Sequence, residues 1–396
     1  MPPNDRPHLR ALTGLRFVAA MQVVLYHVYL PRSAGAPGWV RALVGSGYVG
    51  VGLFFVLSGF VLAYNYLQPM AQGRVGRREF WAARFARVYP VYLLGLAAGM
   101  PWFVLWMLRV STPHIAARWV AGVTAACLAL VQGWAPQTVC ALNCPGWSLS
   151  AEAFFYLLFP FLVLPIRRMS ARGLAGLCVL AWLLALAAPL AYLALRPDGI
   201  AHVGWNSSTA WLLAVKMNPL LRLPEFVIGV AAGRLFLDGA FDRIRSGAVE
   251  VAVAAALVAA LLASPAVPYL LMHNGLLAPL FAALIVVLAV GRGPVARVLS
   301  GRRMEMLGGA SYALYILHVP INDWSGRLAA RLGVAITWPS LYALVVSLVA
   351  IAISLAVFRW IEEPARRALR RRLSRREIPA GGAAIPSPPL AATGAD

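Results

Sequence analysis

The stretch Leu12–Val28 reads LTGLRFVAAMQVVLYHV, and its reading decides the fold class. It is apolar enough to enter a lipid bilayer, yet it carries Arg16 near its start and His27 near its end. Ionisable groups inside a membrane span are costly, so a functional site is their default reading. The two residues are eleven apart. That is about three helical turns, so both side chains lie on one face, roughly 16 Å apart along the axis. The simpler readings are a snorkelling anchor for Arg16 and a helix–helix contact for His27. Ala34-Gly35-Ala36 resembles a signal-peptidase site, but a signal core should not contain Arg and His, so the segment is read as retained.

Working outward, the same apolar character recurs along the chain. Of 396 residues, 61% are hydrophobic and only 12% are charged, about half the charged fraction of a soluble domain. Apolar runs fall at about 12–30, 48–67, 88–108, 119–134, 147–165, 173–195, 211–237, 248–264, 275–291, 306–322 and 340–360. In hydrocarbon each backbone polar group must be satisfied within its own segment, so these runs predict an all-α polytopic membrane protein. The alternation of a porin-like barrel is absent from the sequence.

The basic residues set the path. The net charge is +21, and Lys216 is the only lysine. Arginines gather in 68–87, 166–172, 238–247, 292–305 and after 361, and such segments stay cytoplasmic. No nucleic-acid-binding motif accompanies them. Parity then requires one of the three runs between 88 and 166 not to cross, and the shortest, 119–134, is assigned to it. The expectation is about ten crossings of the inner (plasma) membrane with both termini cytoplasmic. Loop 135–146 would then face an oxidising compartment, where Cys140 and Cys144 can pair; Cys127 and Cys178 lie in apolar runs and pack. The membrane domain is expected over 1–366. A basic cytoplasmic segment and a disordered, Pro-rich tail follow over 367–396. No soluble domain is expected between spans, and no internal repeat stands out.

Several motifs carry chemistry. Ser58 and Gly59 sit mid-span in GVGLFFVLSGF, where small residues admit a neighbouring helix or a ligand. Arg84 and Arg87, spaced i, i+3 in FWAARFARVYPVY, either follow the positive-inside bias or present guanidinium forks to phosphate. In NCPGWSLSAEAFFY, Asn143 or Ser148 is expected to cap a helix. Glu152 there needs a partner: an arginine, or the imidazole of His27, which a carboxylate would orient as a general base. Arg222 and Glu225 in LLRLPEFVIG are i, i+3 and pair with each other or line a cavity, and Pro224 suggests a kinked or broken helix. Ser311, Tyr315 and His318 share a face in SYALYILH. The sequence shows no metal-ligand spacing, no phosphate-cradling GxxxxGK loop and no GxSxG elbow. What remains suits group transfer from an anionic cytoplasmic donor, with His27 deprotonating an acceptor hydroxyl or itself taking the acyl group.

Taken in order, LTGLRFVAAMQVVLYH, GVGLFFVLSGF, FWAARFARVYPVY, WSLSAEAFFY, LPEFVIG, SYALYILH and a closing WIEEP resemble the membrane-bound acyltransferase family 3. The resemblance runs from about residue 8 to 366. It implies transfer of an acyl group, commonly acetyl from acetyl-CoA, to a hydroxyl of an extracytoplasmic carbohydrate, or in one branch of a macrolide. It also implies that His27 is the family's essential histidine, Arg16 its first-span arginine, and Arg84 with Arg87 its Arg-x-x-Arg pair. Ser58, Gly59 and Phe60 match its Ser-Gly-Phe signature, and Glu152 and Glu225 match acidic positions. The expected partners are the lipid bilayer, acyl-CoA and a glycan or glycoside acceptor, with no metal. On this reading Arg16 holds coenzyme A phosphates and His27 receives the acyl end. Rival readings are a proton-coupled transporter, for which no inverted repeat is seen, and an inactive scaffold.

Overall fold

The computed structural model describes residues 7–244 and 246–368. Among these the chain is helical, with no strand. The first half holds α1 (Arg10–Val28), α2 (Gly38–Gly45), α3 (Gly50–Ala71), α4 (Arg77–Val110), α5 (Pro113–Leu128), α6 (Trp147–Arg168) and α7 (Ala171–Leu195). The second holds α8 (Ala210–Met217), α9 (Pro219–Leu237), α10 (Gly247–Leu262), α11 (Tyr269–His273), α12 (Ala278–Val290), α13 (Pro294–Leu299), α14 (Arg302–Gly309), α15 (Ser311–Arg331) and α16 (Pro339–Val357). A π-helical turn, Phe358–Glu362, closes it. The tail expected to be disordered falls, from residue 369, outside the described residues.

Seven segments are long and apolar enough to cross a bilayer: Arg10–Arg32, Gly38–Ala71, Arg77–Val110, Cys144–Arg168, Ala171–Leu195, Tyr269–Val290 and Pro339–Ala368. The remaining apolar runs differ from a plain span in identifiable ways. α5 and α10 have 16 residues each, short of the roughly 20 a straight span needs. α9 carries Arg222, Glu225 and Arg234, and α15 carries Asp323, Arg327 and Arg331. The run 211–237 is not one helix. It breaks at Asn218, whose side chain accepts from Leu220 N at 2.9 Å, while Pro219 begins α9 where its missing N–H costs nothing. The break therefore lies well before Pro224, which sits inside α9.

Neighbouring contacts fix the helix directions. α3 runs antiparallel to α1, with Gly50 against Val23. α9 runs parallel to α3, with Gly52 beside Glu225 and Gly233 beside Phe60. α15 runs parallel to α1 and α4, since Gly308, at the end of α14 just before it, meets Thr13 and Tyr312 meets Val88, while further along His318 meets His27 and Trp324 meets Ala98. α3 is the central helix, and its partners form a ring around it. On the outside, Val179, Leu180, Leu183 and Leu184 of α7 and Leu341, Leu344, Val345 and Leu348 of α16 are exposed. Such stripes at helical spacing suit hydrocarbon, not water.

Candidate active site

Five helices, α1, α3, α4, α6 and α15, line a cavity of about 90 Å³. Among the residues singled out in the sequence, Arg16, Ser58, Arg84, Arg87, Glu152 and Tyr315 line it. Ser148, Tyr156, Ser311 and Tyr312 complete its polar wall. At the end where α1 begins, a wider cleft of about 540 Å³ adjoins it. The two share Arg16, Arg84 and Arg87. Tyr66, Glu305, Glu362 and Arg366 lie in the outer part of that cleft. The arginines thus stand where an open mouth narrows into the helix bundle.

Each arginine is set by its helix. Arg84 and Arg87 sit on one face of α4, one turn apart. Arg84 Nη2 donates to the Tyr66 hydroxyl at 2.8 Å, and its guanidinium lies over the Tyr66 ring at 5.0 Å. Arg84 Nε is buried with no hydrogen-bond partner. Among the described residues no carboxylate lies within ion-pair distance of Arg16, Arg84 or Arg87. Glu152 and Glu362 are their nearest acidic company. Three guanidiniums facing two carboxylates leave surplus positive charge, the setting in which phosphate oxygens bind.

Glu152 does not orient His27. Its Oε2 accepts from the Tyr156 hydroxyl at 2.9 Å, one turn along α6, and it faces the arginines across the cavity. The partner of His27 is His318: His318 Nε2 lies 3.0 Å from His27 Nδ1. His27 Nδ1 is also 3.0 Å from the Val23 carbonyl oxygen, and His318 Nδ1 is 2.6 Å from that of Tyr315. Neither histidine lines the cavity; the pair sits one turn beyond Tyr315, which lines it together with Phe54, their ring centroids 5.8 Å apart. His27 is partly buried and His318 is 0% exposed. Spacing alone could not reveal this pair, because its members are 291 residues apart in the chain.

Two further expectations change. Gly59 faces away from the cavity, into α9. A Cβ there would strike the Phe226 carbonyl, as one at Gly229 would strike that of Val56. Its smallness serves helix approach, and Ser58 alone of that motif meets the cavity. Neither Asn143 nor Ser148 caps α6. Asn143 Nδ2 donates to Ile316 O at 3.1 Å, Ser148 Oγ to Pro145 O at 3.0 Å, and the Tyr315 hydroxyl to the same Pro145 O at 3.2 Å. The bonds of Asn143 and Tyr315 bind α15 to the turn before α6. The bond between Cys140 and Cys144 is present in the same loop.

Arg222 and Glu225 form a separate buried pair, 2.9 Å apart and 1% and 2% exposed. Arg222 also donates to the His273 carbonyl oxygen and lies over the rings of Phe55 and Trp147. Lys216 is buried nearby, its Nζ 5.2 Å from the Tyr269 ring centroid. This cluster does not line the cavity. Tyr156 and Glu362 fall within the quoted motifs WSLSAEAFFY and WIEEP without being singled out there, Tyr66 and His273 carry no such signal, and only the fold brings the four to these two sites. Among the described residues no group of three or more His, Cys, Asp or Glu is arranged to hold a metal ion.

Comparison with known proteins identifies the family. The family model described as an acyltransferase domain matches residues 9–359. The chain is 29% identical over 397 residues to acyltransferase MdmB of Streptomyces mycarofaciens, covering 94% of this chain and 95% of that protein. It is 40% identical over 103 residues to protein 2 in the picA locus of Rhizobium radiobacter, 26% of this chain and 50% of that one. It is 26% identical over 165 residues to O-acetyltransferase OatA of Staphylococcus aureus, 39% of this chain and 25% of that one. No solved structure matches the chain. The matched region takes in the whole cavity and both histidines, and with the lipid-suited helix faces it makes this chain a multi-pass membrane acyltransferase of the acyltransferase family 3.

Proposed function

We propose that the chain moves an acyl group, acetyl by preference, from a cytoplasmic acyl-CoA to a hydroxyl of a cell-envelope or exported carbohydrate. The observation that carries this reading is the cavity itself. It runs from surplus guanidinium charge at an open mouth to the Tyr315 end, beside a histidine pair. Arg16, Arg84 and Arg87 hold donor phosphates at the mouth, and the pantetheine arm lies along α1 past Ser58 and Glu152. The thioester then stands near His27. His27 Nε2 takes the proton of the acceptor hydroxyl as that oxygen bonds the acyl carbon. The carbon–sulfur bond breaks, and the same proton passes to the coenzyme A thiolate. Arg222, Glu225, Lys216 and His273 shape the far end without touching the donor.

The helix directions support ten crossings with both termini cytoplasmic in the plasma membrane. α1, α4, α7, α10 and α15 would run outward, and α3, α6, α9, α12 and α16 inward. The basic segments then collect at the cleft end, as positive-inside bias requires. The disulfide-bearing loop lies at the other end. The macrolide branch that the family resemblance implies makes a glycosylated secondary metabolite the second acceptor class to try.

The test is transfer from radiolabelled acetyl-CoA by reconstituted protein, with glycans and macrolides as acceptors. Wild type should transfer label, His27→Ala should lose it, and Arg16→Ala should recover at high donor concentration. Transfer that survives His27→Ala would remove His27 from the reaction. Uptake of an acceptor without acyl transfer would favour a carrier.

A further inference from the structure

The histidine pair determines which nitrogen of His27 is free. A carbonyl oxygen only accepts, so His318 Nδ1, 2.6 Å from the Tyr315 oxygen, carries a proton. Neutral His318 then presents a lone pair at Nε2. That lone pair and the Val23 carbonyl oxygen are the two neighbours of His27 Nδ1, each at 3.0 Å. Both are acceptors, so Nδ1 of His27 is protonated and shared between them. Nε2 of His27 is left with its lone pair.

We propose that His318 is the positioning residue of His27: by accepting the Nδ1 proton it fixes the tautomer and aims Nε2 as the base. The main-chain carbonyl of Val23 cannot do this alone. It lies on the same helix as His27, and as a carbonyl of the α1 ladder it already accepts the His27 backbone N–H. His318 approaches from α15 and is held on its far side by Tyr315, so the ring plane of His27 is fixed across two helices. When His27 gains the hydroxyl proton at Nε2, it becomes a cation. The bond to His318 is then charge-assisted, roughly twice as strong as the neutral one. This is the part a carboxylate plays in many general-base pairs. Here Glu152 is engaged by Tyr156 instead. The inference rests on the reading of His27 as the base.

Two measurements test it. In protein labelled with nitrogen-15 in its histidine rings, with the His27 signals identified by their loss in His27→Gln, NMR should show neutral His27 protonated at Nδ1. Protonation at Nε2 in wild type would overturn the proposal. In the transfer assay, His318→Leu should lower kcat about 10²- to 10³-fold, the scale of a general base, at an unchanged donor KM. His318→Gln places an amide oxygen where Nε2 stood and should restore kcat to within about tenfold of wild type. Leu and Gln variants that fold equally and lose equally would reduce His318 to a space-filler and overturn the proposal, as would a Leu variant with full kcat. If His318→Leu does not fold, the Gln variant and the tautomer decide. The tautomer is measured without turnover, so it stands even where no acceptor is transferred to and the functional reading fails.

Discussion

Arg84 and Arg87 share a helix face but not surroundings. Arg84 is tied to Tyr66 and keeps a buried, unpartnered Nε. Arg87 faces both the cavity and the cleft, in the field of Glu152 and Glu362. A guanidinium that binds phosphate contributes about 1.5–3 kcal/mol through its charged hydrogen bonds. Arg87→Ala should therefore raise the KM for acetyl-CoA about 10- to 100-fold with little change in kcat. Acetyl-pantetheine lacks the nucleotide phosphates and should show no such change. An equal loss with both donors would mean that Arg87 shapes the helix rather than the phosphate site. Arg84→Lys should also weaken the donor, because an ammonium cannot hold Tyr66 and a phosphate with one planar fork.

Helix α3 owes its central place to what it lacks on one side. Gly59 and the facing Gly229 and Gly233 let α3 and α9 approach until backbone meets backbone. Phe55 and Phe155 then fill the space beside the crossing, with Phe226 stacked on Phe155 at 4.9 Å. Gly229→Leu should force the helices apart and cost on the order of 1–3 kcal/mol, read as a lower Tm in detergent. A Cβ added at Gly176 on α7 would meet nothing within 4 Å. Gly176→Ala should leave Tm unchanged or raise it slightly, since alanine is the better helix former. A fall of equal size at both positions would show general helix sensitivity rather than a close crossing.

Across the whole molecule, charge and direction agree. Arg16, Arg84, Arg87 and Arg366 line the cleft, where His8 and Arg10 lie within 4 Å of Glu305. The opposite end carries the Cys140–Cys144 loop, the Arg32 guanidinium over Tyr342, and the 332–338 connection between α15 and α16. In sealed right-side-out vesicles, Thr337→Cys should react with an impermeant thiol reagent from outside. Arg74→Cys should react only after lysis. The reverse labelling would invert the proposed orientation and put the arginine mouth on the wrong side for coenzyme A.

The sequence by itself determined the class of this protein: helical and many times membrane-embedded, with Arg16, His27, Arg84, Arg87 and Glu152 offered as candidates for its chemistry. It could do so because hydropathy, arginine bias and i, i+3 spacing are local properties that survive in one dimension. The spacing within α1 also placed Arg16 and His27 on a common face, since both lie on one unbroken helix. Only the tertiary structure decided who partners whom. Glu152 was open to His27 by residue type alone, but α6 turns it toward Tyr156 and the arginines, while α15 brings His318 across. Gly59 could have faced a ligand or a helix, and the crossing with α9 chose the helix. The run 211–237 is apolar throughout, yet Asn218 and Pro219 divide it. Such choices depend on which faces of distant helices meet, and burial free energy settles that only when the whole bundle assembles.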